Sequence, residues 1–552
     1  MHLNSVLSIC SLFKMLFQQG DVVRGGRYRI NDIPIGTIHI IISKPHTNHL
    51  LKTFLFTRQA VNKLYSHANM MYVVSESENT YLSESNKTKC INYMRIFRHL
   101  SMFAFTYTVA WFSNMRSKSY KGFQLLRIFS DAAWKVEDLK DMQEDTQGSG
   151  LMWWSSPSMN RSADLLVPPG LLSDIKDHLN SEGMDYEVVV WDLQKAIKYE
   201  NPKLTKTQRL ELEKVRGHPM TWRRYHRYAD ILRYMEYLSL KYPKIVDLVP
   251  LGRSSEGLPI VAAKLSLPRN KSRDSGDRKK WKLKSRMKPA IWIDGGMHAR
   301  EWISPAVATW FLHTLVEGEE GNGADLDMLR LADWYILPVG NPDGYEHSHT
   351  TDRLWRKTRS KYSDKEDNYF NSWFPWNWGN TDCIGVDPNR NWDYHWGEKG
   401  SSNDPCNDYY AGPKPFSEPE TMAVSNFLIE NRDQFKAYLT LHSYAQMWVM
   451  PTTHSRNQFS DKNDLMEMGK LALNALTAVS GTKYQIGSMT DLLQPMTGTA
   501  HDWAKARAGI KYSYAVKMRD SFGPYGFLLP GAQIIPTAKE TWEAVKAIAD
   551  NL

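Results

Sequence analysis

Four cysteines in 552 residues, Cys10, Cys90, Cys383 and Cys406, are too few for a disulfide framework and show no CxxC metal spacing. One pair could still form a staple. The chain also has no Walker A loop, no zinc-finger spacing and no GxGxxG after a strand, so nucleotide and nucleic-acid chemistry lack support. The apolar run from Leu100 to Phe112 is too short to span a bilayer. What is present is globular composition, with 42% apolar and 23% charged residues, at a length that suits two domains and an N-terminal extension. The formal charge of +9 is largely local. Residues 269–288, RNKSRDSGDRKKWKLKSRMK, hold ten Lys or Arg against two Asp. Such a run reads as a solvated loop or as a contact for an anionic surface such as a polysaccharide.

Residues 1–93 show poor periodicity and carry no nameable motif. A basic segment at Met94 to His99, the apolar run and then Ser113 read as a signal peptide over 94–117. The expectation is therefore a biological start at Met94, with 1–93 an extension outside the mature protein. A buried helix in a genuine N-terminal domain is the alternative. Residues 118–200 read as a small α+β unit. Gly122 to Ile128, Ala163 to Val167 and Tyr186 to Trp191 are strand-like, while Ala132 to Met142 and Leu171 to Leu179 have helical spacing. The polar stretch 201–219, with Arg209, Lys214 and Arg216 before Gly217, reads as an exposed linker open to proteolysis. From 220 to 552 strands alternate with helices. This pattern predicts a mixed sheet covered on both faces, with strands at Ile245 to Leu251, Ile260 to Ser266, Ala290 to Ile293, Trp334 to Val339, Ala437 to Leu441 and Ile510 to Val516.

The stretch 291–304, IWIDGGMHAREWIS, organises the rest. An apolar strand breaks at Gly295-Gly296, His298 and Glu301 follow three residues apart, and Ser304-Pro305 reads as the N-cap and first turn of a helix. Ligands bind outside the carboxyl ends of strands in open α/β sheets, and a second strand ends in His442. Two histidines and a carboxylate with an open position form a catalytic zinc arrangement.

With these motifs in this order, residues 120 to 552 resemble the zinc metallocarboxypeptidases of the pancreatic A/B type, propeptide included. The resemblance implies an eight-stranded mixed α/β sheet preceded by a ferredoxin-like α+β propeptide, and one zinc ion held by His298 and Glu301 of HARE and His442 of LHSY. In RLWRKTRS, residues 353–360, it implies Arg356 as the group that holds the developing oxyanion. In DPNRNW, residues 387–392, it implies Asn389 and Arg390 as the clamp on a peptide's terminal carboxylate, a task suited to a guanidinium fork. Arg300 and Tyr444 match further subsites, and Cys383 and Cys406 match the family's disulfide, which fits secretion.

Two positions depart from the pattern. KYSYAVKMRD, residues 511–520, has Lys517 where the family's general-base glutamate is expected. LQPMTGTAHDW, residues 493–503, has Gln494 where a tyrosine closes over substrate, and His501 at the position that selects the side chain. General acid-base assistance contributes roughly 10²–10⁴-fold. A degenerate, secreted, monomeric member is therefore expected, one that binds peptide C-termini with hydrolysis impaired. The alternatives are an active carboxypeptidase that uses a neutral lysine, and a heparin- or matrix-binding protein with a vestigial site.

Overall fold

The computed structural model describes residues 38–42, 50–54, 117–145, 149–159, 161–268, 288–318, 323–361, 383–452, 459–492, 494–521 and 523–552. The expected signal peptide and nearly all of the basic run 269–288 lie outside these. Residues 1–112 and 113–552 form separate units. Of the first, an antiparallel hairpin of β1 (Ile38–Ile42) and β2 (Leu50–Phe54) is described.

The second unit begins with an antiparallel sheet of β3 (Gln124–Ser130), β4 (Met152–Trp153), β5 (Arg161–Val167) and β6 (Tyr186–Val190), in the order β4-β5-β3-β6. Helices Ala133–Asp145 and Leu172–Ser181 complete the β-α-β-β-α-β order of a ferredoxin-like fold. Alternation along β3 explains how this small sheet serves two cores. Leu126 and Ile128 pack with Leu139, Ile175 and Leu179 of the helices. Leu125, on the opposite face, packs with Trp154, Leu166, Tyr444 and Phe527, and so joins the small sheet to the rest of the unit.

The stretch 201–219 is mostly exposed or half-buried over 201–212, ends in the buried His218 and Pro219, and contains a helix, Lys206–Arg216. Thr205 Oγ1 accepts from Gln208 N at 3.2 Å while Gln208 Oε1 accepts from Thr205 N at 3.0 Å, a reciprocal capping box that starts the helix.

The main sheet has eight strands. They are β7 (Val246–Arg253), β8 (Pro259–Leu265), β9 (Ala290–Asp294), β10 (Asp333–Leu337), β11 (Phe435–His442), β12 (Met447–Met450), β13 (Gln485–Ser488) and β14 (Tyr512–Lys517), ordered β13-β12-β14-β11-β9-β10-β8-β7. β14, β11, β9 and β10 are parallel neighbours in the middle of the sheet, and β8 and β7 run antiparallel at one side. Every residue of β9 is buried. Ile291 and Ile293 pack with Phe311, Leu315 and Trp542 on one face, whereas Ala290 and Trp292 pack with Val424, Leu428 and Trp503 on the other. Helices thus cover both faces, and the four central parallel strands bring their carboxyl ends to one edge.

The helix after β9 runs Ile303–Val316, with Trp302 at the N-cap. Ser304 therefore lies inside the first turn and does not cap it. Its Oγ instead donates to Glu301 O at 2.9 Å and accepts from Gly296 N at 3.0 Å, which ties the strand's exit to the helix.

On the helix Pro419–Glu430, the buried Glu420 accepts from Ser255 N at 3.0 Å, pinning the turn between β7 and β8. Burial pushes its carboxyl up from 4.5 to about 7, and the neighbouring Glu418 and Asp343 add to the rise. The folded state therefore keeps a proton that the unfolded chain has released, so this contribution to stability is full below pH 4.5 and lost as pH climbs through 7. A shift of this size is worth up to about 3 kcal/mol. Denaturant unfolding of the parent and Glu420→Gln at pH 5 and pH 8 should show the variant losing less stability on going up in pH.

Candidate metal and carboxylate-binding site

β9 leaves the sheet through a turn that only glycines fit. Gly296 has φ +63°, and a Cβ on Gly295 would lie 2.7 Å from Ser304 O. This turn sets His298 and Glu301 at the sheet edge where β11 delivers His442, all three buried. His298 Nδ1 lies 2.8 Å from Glu301 Oε1, and His442 Nδ1 lies 3.0 Å from Glu301 Oε2. One ligand atom from each residue falls within 4.8 Å of the others. Burial pushes His442 down to about 4, which keeps its imidazole neutral and able to bind a metal. Burial also opposes ionisation of Glu301, but the two imidazoles outweigh it and hold the carboxyl well below its usual range. Both Nδ1 atoms and the carboxylate face a common centre, while each Nε2 has an outer partner, so this donor set fits a zinc ion.

The buried carboxylate of Asp387 ties the neighbouring residues together. It accepts from Asn389 N at 2.9 Å, faces His298 Nε2 at 3.0 Å, and takes Arg356 Nε and Nη2 at 3.0 and 2.8 Å. Arg390 Nη1 stands 3.8 Å away. Arg390 is itself oriented by Gly400 O at 2.6 Å and Asn389 O at 2.8 Å, and its Nη2 points at Met496 Sδ, 3.0 Å away. Lys517 ends β14 in register with His442. Its ammonium makes no hydrogen bond to a described residue, yet it acts electrostatically on His442 and interacts with Glu301, Arg356, Arg390 and Asp387. Burial pushes it down to about 8, Arg356 and Arg390 push the same way, and Glu301 opposes them. The structure thus gathers His298, Glu301, His442, Arg356, Asn389, Arg390 and Lys517 at one place.

The other expected residues have different surroundings. His501 is fully buried, with Nε2 3.5 Å from Asp502 Oδ1. Cys383 and Cys406 are disulfide-bonded. Arg300, Tyr444 and Gln494 lie under the N-terminal sheet. Arg300 Nη1 touches Met152 Sδ at 3.4 Å, Tyr444 donates to Asp164 Oδ2 at 2.6 Å, and Gln494 Nε2 donates to Pro157 O at 3.2 Å.

Comparison with known proteins settles the lineage. Residues 231–544 match the zinc carboxypeptidase family, and residues 126–200 match the carboxypeptidase activation peptide. The chain belongs to the zinc carboxypeptidase family. It is 35% identical to carboxypeptidase A2 of Rattus norvegicus over 436 residues, covering 79% of this chain and 95% of the relative. It is 41% identical to carboxypeptidase B of Astacus astacus over 332 residues, covering 60% and 98%. Among solved structures, thrombin activatable fibrinolysis inhibitor matches with a TM-score of 0.65 and 31% identity over 78% of this chain and 99% of that one. The family uses one zinc ion, and His298, Glu301 and His442 are the group here that can hold it.

The activation peptide reaches the carboxypeptidase cleft through residues that the sequence had not marked. Trp154 sets its ring edge-on to Phe527 at 5.2 Å and to Tyr444 at 6.4 Å. Asp164, forked by Arg127 at 2.8 and 3.0 Å, takes the Tyr444 hydroxyl. At the far end, Glu200 binds Arg353 Nε at 2.8 Å and Nη2 at 2.5 Å with both residues buried. Arg353 also donates to Arg300 O and Phe527 O, each at 2.8 Å, so this ion pair anchors the peptide beside the cleft. Breaking one partner of a buried pair typically costs about 3–5 kcal/mol. After a cut in the 201–219 stretch, Glu200→Gln should therefore release the activation peptide at least about 100-fold more readily, measured by size-exclusion chromatography against the nicked parent.

Proposed function

We propose that this carboxypeptidase-family chain binds peptide C-termini at a zinc site and hydrolyses them poorly, because Lys517 occupies the position of the proton-accepting group. The carrying observation is the placement of Lys517 at the end of β14 beside His442, within electrostatic reach of Glu301 and Arg356. When bound, zinc supplies Lewis-acid polarisation of a carbonyl and activation of water. The chain's own residues do the rest. Arg390 and Asn389 hold the terminal carboxylate, and Arg356, once it turns from Asp387, hydrogen-bonds the carbonyl of the scissile bond and holds its developing oxyanion. At neutral pH the Lys517 ammonium cannot accept a proton, so the arrangement retains binding and lacks the step that moves protons.

Met496, on which Arg390 Nη2 rests, packs against Met447, Val449, Met489, Leu492 and Ala515. A ligand whose carboxylate takes Arg390 lays its last side chain on this lining, so an apolar C-terminal residue is favoured. The acidic group next to His501 does not compete for a basic side chain. Asp502 already accepts from Thr452 N and Thr499 Oγ1, each at 2.8 Å. Secretion, a leader over 94–117, a monomeric state and release of 118–200 by cuts in 201–219 complete the proposal. The disulfide and the activation peptide match support it.

The test is turnover of peptides with varied C-terminal residues by the nicked parent and by Lys517→Glu, with bound zinc quantified in both. Zinc in both, with the variant faster by roughly 10²–10⁴-fold, is the expected result. Comparable turnover by the parent overturns the reading. Burial and Arg356 and Arg390 bring the ammonium down to about 8 before zinc is counted, and a bound dication lowers it further, so a parent rate that climbs as pH rises toward 8 would identify a neutral Lys517 amine as the base.

A further inference from the structure

The two ligand imidazoles are held alike at one nitrogen and differently at the other. His298 Nε2 meets the Asp387 carboxylate directly at 3.0 Å. His442 Nε2 instead lies 3.2 Å from Thr440 Oγ1, and that hydroxyl lies 2.6 Å from Asp294 Oδ1. We propose that Asp294, acting through the Thr440 hydroxyl, is the positioning residue that fixes the ring and tautomer of His442 for zinc.

The sheet builds this relay from register alone. Thr440 of β11 pairs with Asp294 of β9, which sets carboxylate beside hydroxyl. Thr440 and His442 are two residues apart on a strand, so their side chains leave the same face. The other carboxylate oxygen, Oδ2, accepts from Trp292 Nε1 at 2.8 Å, which leaves Oδ1 for Thr440. Thr440 donates its one proton to Asp294, so its lone pairs are left to accept the Nε2–H of His442. The ring is thereby held with its Nδ1 edge aimed at the ligand centre, beside Glu301, and with Nε2–H on Thr440 the Nδ1 lone pair is the one a metal would take. All three groups are buried, at 3% exposure for Asp294, 0% for Thr440 and 2% for His442, so no bulk water substitutes for a missing member.

This inference rests on the reading of His298, Glu301 and His442 as the zinc ligands, and its test separates the two. Zinc affinity of the full chain is measured by competition with a chromophoric chelator for the parent, Asp294→Asn, Thr440→Val and Thr440→Ser, with thermal unfolding of the zinc-free forms as the folding control. Thr440→Val and Asp294→Asn should weaken zinc binding by about 10–100-fold, the usual loss for an outer partner of a metal-bound histidine, while Thr440→Ser keeps the parent's affinity. A folded Thr440→Val with parental zinc affinity overturns the relay, as does Thr440→Ser losing as much as Thr440→Val. A parent that binds no zinc overturns the ligand set itself.

Discussion

The site depends on one carboxylate. Asp387, with no exposed surface, fixes His298 on one oxygen and the Arg356 fork on the other, and lies near Arg390. Desolvation alone would favour its neutral form, but the two guanidiniums and the imidazole hold it ionised, well below the ordinary carboxylate range. Buried like-charged arginines are tolerable only with such a counter-charge between them. His298, Arg356 and Arg390 therefore share one electrostatic joint, and none of their positions is independent of the others.

How much of this could be read from the chain depends on whether the determining contacts are local. The central strands were legible because Ala290 to Ile293 is a continuous apolar run and Ala437 to Leu441 is apolar except for Thr440, as expected of parallel strands buried on both faces. The His298 and Glu301 pair followed from the Gly295-Gly296 break. β13, Gln485 to Ser488, has no comparable pattern, and β12, Met447 to Met450, is as apolar but only four residues long. Asp387 stood inside DPNRNW, but its role emerges only when residues 298, 356 and 390 meet in space. Trp154, Asp164 and Glu200 were invisible for the same reason, since Asp164 finds Tyr444 at a separation of 280 residues and Glu200 finds Arg353 at 153. The helix Lys206–Arg216 was a missed local signal, because Thr205 to Gln208 spells a capping box. Ser304 misled in the other direction. A serine before a helical run suggests a cap, yet its hydroxyl is committed to closing the turn at Gly296.

The activation peptide and the cleft form one polar and aromatic system. Phe527 and Tyr444 are covered by Trp154 and Asp164, while Arg353 pairs with Glu200. In an enzyme, this cover delays turnover. Under the proposed function, with Lys517 in place of a proton acceptor, the same cover would control access to a binding groove, and the buried ion pairs would set when that groove opens.

Under the proposed function, charge makes the lysine compatible with binding and unfavourable for catalysis. Around the centre, Arg356, Arg390 and Lys517 face two carboxylates, Glu301 and Asp387, before any metal is counted. A glutamate at 517 would reverse that balance and give protons somewhere to go. The lysine instead leaves the pocket positive, which repels a second cation but strengthens the hold on an arriving carboxylate, the part of a peptide C-terminus that Arg390 is oriented to receive. Its cost falls on the metal, because an ammonium in the same pocket opposes a dication. A site that retains zinc under that repulsion must draw more from its ligands' orientation. Here both histidines have their outer nitrogens engaged by buried partners, Asp387 for His298 and the Thr440 hydroxyl for His442. In the proposed relay, those outer contacts, set by sheet register and by the Asp387 joint, are what would offset the unfavourable charge at position 517.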